Sequence, residues 1–326
     1  MSELWLAWIA ILVGFGGLIW SADRFVGGSA AIANNFGVSR LIIGLTIVSL
    51  GTSAPEIVVS ISAAMEGSGE LAIGNALGSN LANIGMVLAI TALIAPMPIQ
   101  KHLLTQEIPI LLLVTVAAGI ALYDATLSPL EGYLLLGGLI PLLYIMTRSK
   151  KGHPEELVDD DEIPDMKTGI AFFWFVVGLG VLIACSDLLV WGAQIVAEDF
   201  GVSQLIIGLT VVAIGTSLPE LAASVMSAIK GHHDMALGNI IGSNIFNILA
   251  VMSLPGIIHP PVMESDVFSR DFMAMGGITL LLAAAIIIDY KVRNRHPESH
   301  GVARLGRRIG CLLLAGYIFY FFLLFR

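Results

Sequence analysis

The chain has little charge and almost no cysteine. Lysine, arginine, aspartate and glutamate together make up 13% of its 326 residues, about half the share in an ordinary soluble domain. Two cysteines, Cys185 and Cys311, can form neither a disulfide framework nor a cysteine-based metal set. Both lie in apolar runs and read as small core residues. Also missing are a HExxH motif, a paired-aspartate protease motif and a serine–histidine arrangement, so no hydrolase or other enzyme is expected. The formal net charge of −9 is a poor guide to partners, because its charges are unevenly distributed, and no nucleic-acid partner is expected. Much of that charge is one acidic stretch from Glu155 to Glu162.

What is present in abundance is hydrophobic sequence, 56% of all residues. Apolar runs of about twenty residues recur along the chain, the length needed to cross a bilayer as helix. They do not alternate, which excludes a β-barrel. The first run has an acidic flank, Glu3, and no small-residue cleavage site, so it reads as a helix rather than a signal peptide. The expected spans are about 4–33, 38–65, 70–95, 103–123 and 127–147, then 168–197, 202–229, 234–258, 270–290 and 307–325. The fold class is therefore an all-α membrane protein of about ten transmembrane helices in two sets of five. Residues 1–147 form the first set and 168–326 the second, joined by a charged linker, 148–167, that contains Pro154 and Pro164. The linker's acidic run reads as a solvated loop, because its spacing does not match a calcium-binding loop.

Threading the chain through these spans places thirteen of its sixteen lysines and arginines on one side, from Arg40 and Lys101 through the linker to Arg307 and Arg308. The positive-inside rule makes that side cytoplasmic and puts both termini outside. An odd number of spans per set means that the second set enters the membrane inverted relative to the first.

The two sets contain the same sequence twice. Residues 36–96 and 200–260 align without a gap at an offset of 164. Each copy carries Gly-Thr-Ser-x-Pro-Glu: Gly51 to Glu56, and Gly215 to Glu220. Proline inside a helix removes one N–H and frees the carbonyl four residues back, here that of Gly51 or Gly215. Broken backbone survives in a membrane only where it lines a cavity or meets an ion. One residue further is a glutamate, costing about 2.5–3.5 kcal/mol at mid-bilayer. Ser49, Ser53 and Ser60 share a helical face with Glu56, as Ala213, Ser217 and Ser224 do with Glu220. A second motif, Gly-Asn-x-x-Gly-Ser-Asn, steps Asn75, Ser79 and Asn83 along one helix, and Asn239, Ser243 and Asn247 along its twin. Expensive residues repeated in this way imply one site built from two matching halves, the glutamates meeting at the midplane.

An oxygen-only donor set without cysteine or histidine suits a hard cation. Two carboxylates balance one Ca²⁺, and Na⁺ can compete for the same oxygens. No basic residue lies in either broken span to pair Glu56 or Glu220 structurally. Asp23 and Asp187, in the first helix of each set, are expected to bond the backbone or a neighbouring helix. Thr52 and Thr216 can bond back to their own helices, and Asn80 and Asn244 lie off the polar face and suit helix–helix bonding. His232 and His233 read as interfacial loop residues. The aromatic end, Tyr317 to Phe322, reads as lipid-facing anchoring.

These motifs resemble the two α-repeats of the Ca²⁺/cation antiporter superfamily, most nearly its prokaryotic sodium/calcium exchangers. The resemblance covers nearly the whole chain and implies ten helices in two inverted halves. It also implies an ion site made by Glu56, Glu220, the hydroxyls of Ser53, Ser217, Ser79 and Ser243, Asn83, Asn247, and backbone oxygens near Ser49, Thr52, Ala213 and Thr216. The long first helix of each half would be a sliding gate. No cofactor is implied beyond the transported Ca²⁺ and Na⁺, and no obligatory protein partner besides the lipid bilayer. Calcium efflux in exchange for sodium is the expected activity. A proton-coupled Ca²⁺/cation antiporter is the alternative, and a cation channel is less well supported, since channels build rings from several subunits. Asn at 83 and 247, where potassium-dependent members carry Asp, argues against potassium coupling. Gly78 and Gly242, where proton-coupled members carry Glu, argue for sodium over protons.

Overall fold

The computed structural model describes residues 2–148, 166–201, 213–294 and 303–324, nearly all of them helical. The acidic linker and the start of the second repeat's broken helix, 202–212, lie outside the described residues. The helices are α1 (Ser2–Asn35), α2 (Arg40–Thr52), α3 (Ala54–Met65), α4 (Gly69–Ile94), α5 (Leu103–Leu122) and α6 (Pro129–Arg148). They continue as α7 (Thr168–Asp199), α8 (Ala213–Thr216), α9 (Leu218–Ile229), α10 (His233–Ile258), α11 (Val267–Arg293) and α12 (Arg307–Leu324).

Seven of these are long and apolar enough to cross a bilayer, and the bent pair α2–α3 makes an eighth. The expected fifth span and the described part of the seventh, 213–229, are helical as well. Their apolar stretches are shorter, Pro129–Ile145 and Leu218–Ile229. The protein is a multi-pass, all-α membrane protein.

The repeat in sequence is a repeat in backbone. α3 and α9 end in turns at Gly67 and Gly231, both left-handed with φ of 77° and 76°, a conformation only glycine adopts without strain. α4 and α10 each change from α to π geometry at an asparagine, over Asn83–Leu88 and Asn247–Val251. They are also the helices most enclosed by protein, with 78% and 83% of their apolar windows buried, against 17% for α7 and α12.

Contacts divide the chain into two compact units that cut across the repeats. One is Met1–Pro55 with Asp159–Asn239, the other Glu56–Val158 with Ile240–Arg326. In the first unit the core is α1 against α7. A Cβ added at Gly28 would lie 2.7 Å from the Phe175 nitrogen, and one at Gly178 2.7 Å from the Phe25 nitrogen. Gly14 meets Cys185 and Leu189 just as closely, and Gly192 meets Ala7. Partners descend one helix as they ascend the other, so α1 and α7 run antiparallel. Small residues let their backbones touch, which is how helices gain packing energy where lipid is as apolar as leucine. Phe25 on Phe175 and Trp20 edge-on to Trp174 fill the rest of the seam. The other faces expose Leu12, Phe15, Phe173 and Val176, as lipid contact requires.

In the second unit the repeats exchange ends. α12 packs on the last turns of α4, with Gly310 against the Ala89 carbonyl, and α6 packs on the last turns of α10, with Gly132 against the Ser253 carbonyl. Short antiparallel pairs lock both corners. Met97–Pro98 (β1) pairs with Arg304–Leu305 (β2), and Thr126 with Val262.

Three local expectations change. Cys311 is exposed on α12 rather than in the core. Tyr317 is buried, and the Tyr320 hydroxyl donates to Asp271 at 3.0 Å, so only part of the aromatic end faces outward. His232 is buried, with Nδ1 3.0 Å from the Arg40 guanidinium.

Candidate functional site

Both broken helices pivot on a serine. Ser53 has φ −82°, ψ 8° and Ser217 φ −90°, ψ 3°, and the first break bends the pair by 45°. Pro55 and Pro219 then fall in the first turn of α3 and α9, where a missing N–H costs the helix nothing. The break therefore places Glu56 and Glu220 in the first turn of a new helix, at the positive end of its dipole. Both glutamates are fully buried. The positive end of the helix dipole offsets part of the cost of burying charge on these carboxylates.

In the first unit, Ser53 Oγ donates to Glu220 Oε1 at 3.2 Å. Asn239 supports the same segment: its Nδ2 donates to Ser224 Oγ at 2.9 Å and to the Glu220 carbonyl at 3.4 Å. The Thr52 hydroxyl lies 3.2 Å from Asn239 Oδ1 and 3.3 Å from the Ser49 carbonyl. The Gly215 carbonyl, deprived of its helical donor by Pro219, accepts from Ser186 Oγ on α7 at 3.0 Å. Sequence reasoning missed this bond, because its partners are 29 residues apart and Ser186 belongs to no motif.

In the second unit, Asn75 Nδ2 donates to the Glu56 carbonyl at 3.3 Å, the twin of the Asn239 bond. Ser60 Oγ donates to the Val251 carbonyl at 2.9 Å. Asn80 does bond between helices, to the Asn244 carbonyl at 3.2 Å. The polar faces read from helical spacing thus divide by task. Ser49, Ser60, Asn75 and Asn239 spend their hydrogen bonds on protein, Ser49 on the Thr46 carbonyl.

A different subset is buried with nothing to bond. Among the described residues, Glu220 Oε2, Ser217 Oγ, Ser243 Oγ and both amide atoms of Asn83 and Asn247 have no hydrogen-bond partner. Each such atom in a native interior needs a reason, since desolvating it costs about 1–3 kcal/mol. Asn83 and Asn247 also begin the two π-helical stretches, a backbone irregularity that recurs at functional sites. Ser79 is buried as well, Ala213 opens α8, and Thr216 closes it half-buried. Among the described residues no three His, Cys, Asp or Glu side chains cluster. A cation held by these residues would therefore draw mainly on hydroxyl, amide and main-chain oxygens, with no more than two carboxylates.

The family model described as sodium/calcium exchanger protein matches residues 6–148 and 170–326. The chain belongs to that family. A putative antiporter, CaxA, from Alkalimonas amylolytica is 46% identical over 98% of this chain and 99% of its own length. Inner membrane protein YrbG of Escherichia coli is 37% identical over 98% and 97%. Sodium/calcium exchanger MaX1 of Methanosarcina acetivorans is 30% identical over 88% and 93%. Among solved structures, the sodium-calcium exchanger NCX_Mj superposes with a TM-score of 0.79 at 31% identity, covering 96% of this chain and 97% of that one. Both family segments span the broken-helix and asparagine motifs.

Outside these motifs, Asp23 on α1 forms an ion pair of 2.8 Å with Lys230, the residue that follows α9. Arg24 lies 3.9 Å from the same carboxylate and stacks over Trp174 at 4.9 Å. The twin of Lys230 is Glu66, so this pair breaks the repeat.

Proposed function

We propose that this family member exchanges Ca²⁺ for Na⁺ by alternating access and works as a calcium-efflux antiporter. The observation that carries the reading is the set of buried oxygens without partners among the described residues: Glu220 Oε2, the Ser217 and Ser243 hydroxyls, and the Asn83 and Asn247 amide oxygens. The ions are held by Glu56 and Glu220, by the hydroxyls of Ser53, Ser217, Ser79 and Ser243, by Asn83 and Asn247, and by oxygens at Ser49, Thr52, Ala213 and Thr216. Ca²⁺ takes six to eight oxygens, and two carboxylates neutralise it. Na⁺ is a hard cation that prefers the same donors, so the two compete, and competition at a site open to one side at a time is exchange. Asn75 and Asn239 are positioning residues, each tying a glutamate's main chain to the neighbouring polar helix.

Residues 1–147 and 168–326 are the two halves, inserted in opposite senses with the 148–167 linker in the cytoplasm and both termini outside. The antiparallel α1–α7 pair supports that reading, since these are the equivalent first helices of the halves. The same two helices serve as the moving gates. Gly78 and Gly242 leave the polar helices without the extra carboxylate that proton coupling would use, which favours sodium.

The test is purified protein in liposomes with radiolabelled calcium. An outward sodium gradient drives uptake, and Glu56→Gln or Glu220→Gln abolishes it. Equal uptake driven by a pH gradient without sodium would replace the coupling ion. Calcium flux that runs downhill only would make the protein a channel.

A further inference from the structure

The corner where the repeats exchange ends occurs twice, but only one copy is basic. At the first, a cavity of about 500 Å³ is lined by Pro96, Asp289, Arg293, Arg304, Gly306, Arg307, Arg308 and Ile309. Two of its four guanidiniums are held in place. Arg293 pairs with Asp289 at 2.9 Å, and Arg307 donates to the Leu93 carbonyl at 3.1 Å. Arg304 and Arg308 are exposed; the Arg304 main-chain N–H donates to Asp289 Oδ2 at 3.0 Å, but among the described residues neither guanidinium pairs with a carboxylate. At the second corner, where Thr126 pairs with Val262, the residue equivalent to Arg304 is Thr126, and those equivalent to Arg307 and Arg308 are Pro129 and Leu130. The architecture is the same without arginine, so the corner does not need these charges to fold.

We propose that this pocket binds the phosphate of an anionic phospholipid headgroup. It lies where two apolar spans, α11 and α12, begin and end, which is the depth of the headgroup layer. Four guanidiniums against one carboxylate leave a surplus of positive charge, and arginine's planar fork matches phosphate oxygens two at a time. Basic pockets at span ends are a recurrent solution for anionic lipids. The site is independent of which ions are exchanged.

The test is native mass spectrometry of the full chain in detergent with phosphatidylglycerol or cardiolipin, and with phosphatidylcholine for comparison. Arg304→Gln and Arg308→Gln each lower retained anionic lipid about fivefold, and the double variant about thirtyfold, from the usual contribution of one basic residue near a lipid surface. Lys167→Gln, which removes one exposed charge elsewhere, changes retention less than twofold on the same scale. Phosphatidylcholine binding is the same in all variants. Retention unchanged in the double variant, or a loss no larger than in Lys167→Gln, would overturn the proposal. So would displacement of the lipid by an equal concentration of inorganic phosphate, which would identify a soluble anion as the occupant.

Discussion

Replacing Ser186 by alanine tests whether the hydrogen bond from α7 stabilises the second broken helix. Ser186 is 3% exposed and donates to the Gly215 carbonyl at 3.0 Å. That carbonyl has no helical donor, because the residue four positions on is Pro219. Ser186→Ala therefore strands a buried acceptor. Interhelical hydrogen bonds in membranes average about 0.6 kcal/mol with a maximum near 1.7, whereas an orphaned buried group costs about 1–3 kcal/mol. With no second donor among the described residues, the loss falls near the top of the membrane range, about 1.5 kcal/mol. A matched control sits nearby in sequence. Ser227 is fully buried, but among the described residues its Oγ has no partner, so Ser227→Ala removes an unsatisfied group and is neutral or stabilising by up to about 1 kcal/mol. Both changes convert a serine to the alanine at the equivalent position of the first repeat, Ala22 and Ala63. Unfolding by SDS titration in mixed micelles, followed by tryptophan fluorescence, gives the two free-energy differences. Equal destabilisation by both variants, or a larger cost for Ser227→Ala, refutes the reasoning.

Two further expectations concern the first unit. Gly28→Ala puts a methyl 2.7 Å from the Phe175 nitrogen and 2.8 Å from the Ala171 carbonyl, contacts only backbone movement can relieve, so the variant loses about 1–3 kcal/mol. Gly180→Ala, on the same helix pair with nothing within 4 Å, is neutral or gains up to about 1 kcal/mol of helix propensity; yield of monodisperse protein and SDS midpoint separate the two. The Asp23–Lys230 pair is partly exposed, at 43% and 28% of the side chains. A double-mutant cycle with Asp23→Asn and Lys230→Met should give a coupling of about 0.5 kcal/mol, and a value above about 1.5 kcal/mol would mean that the pair is desolvated.

Legibility varied with the range of the interaction. The breaks at Ser53 and Ser217 were readable because proline acts on its own turn of helix. The burial of Glu56 and Glu220 followed from apolar neighbours in the same segment. Helical spacing correctly put Asn75, Ser79 and Asn83 on one face, but it could not say that Asn75 spends itself on the Glu56 carbonyl while Asn83 keeps both amide atoms unused. Spacing fixes which side chains share a face, and the neighbouring helix decides what that face meets. Lys230 reaching Asp23 across 207 residues had no local signature at all.

By itself the sequence determined the membrane class, the doubled motif, the two proline breaks and the absence of cysteine and histidine from both motifs. Each of these depends on covalent geometry, solvation or periodicity within one segment, which a single helix carries wherever it is placed. The tertiary structure decided the rest: the antiparallel glycine seam of α1 and α7, the exchange of ends between repeats, the donor for the Gly215 carbonyl, and the short set of oxygens left over once the protein's own bonds are made. Those depend on which distant segments come within 3–4 Å. In a chain where almost every helix is apolar, the hydrophobic pattern does not choose the partner; close packing and hydrogen-bond satisfaction do.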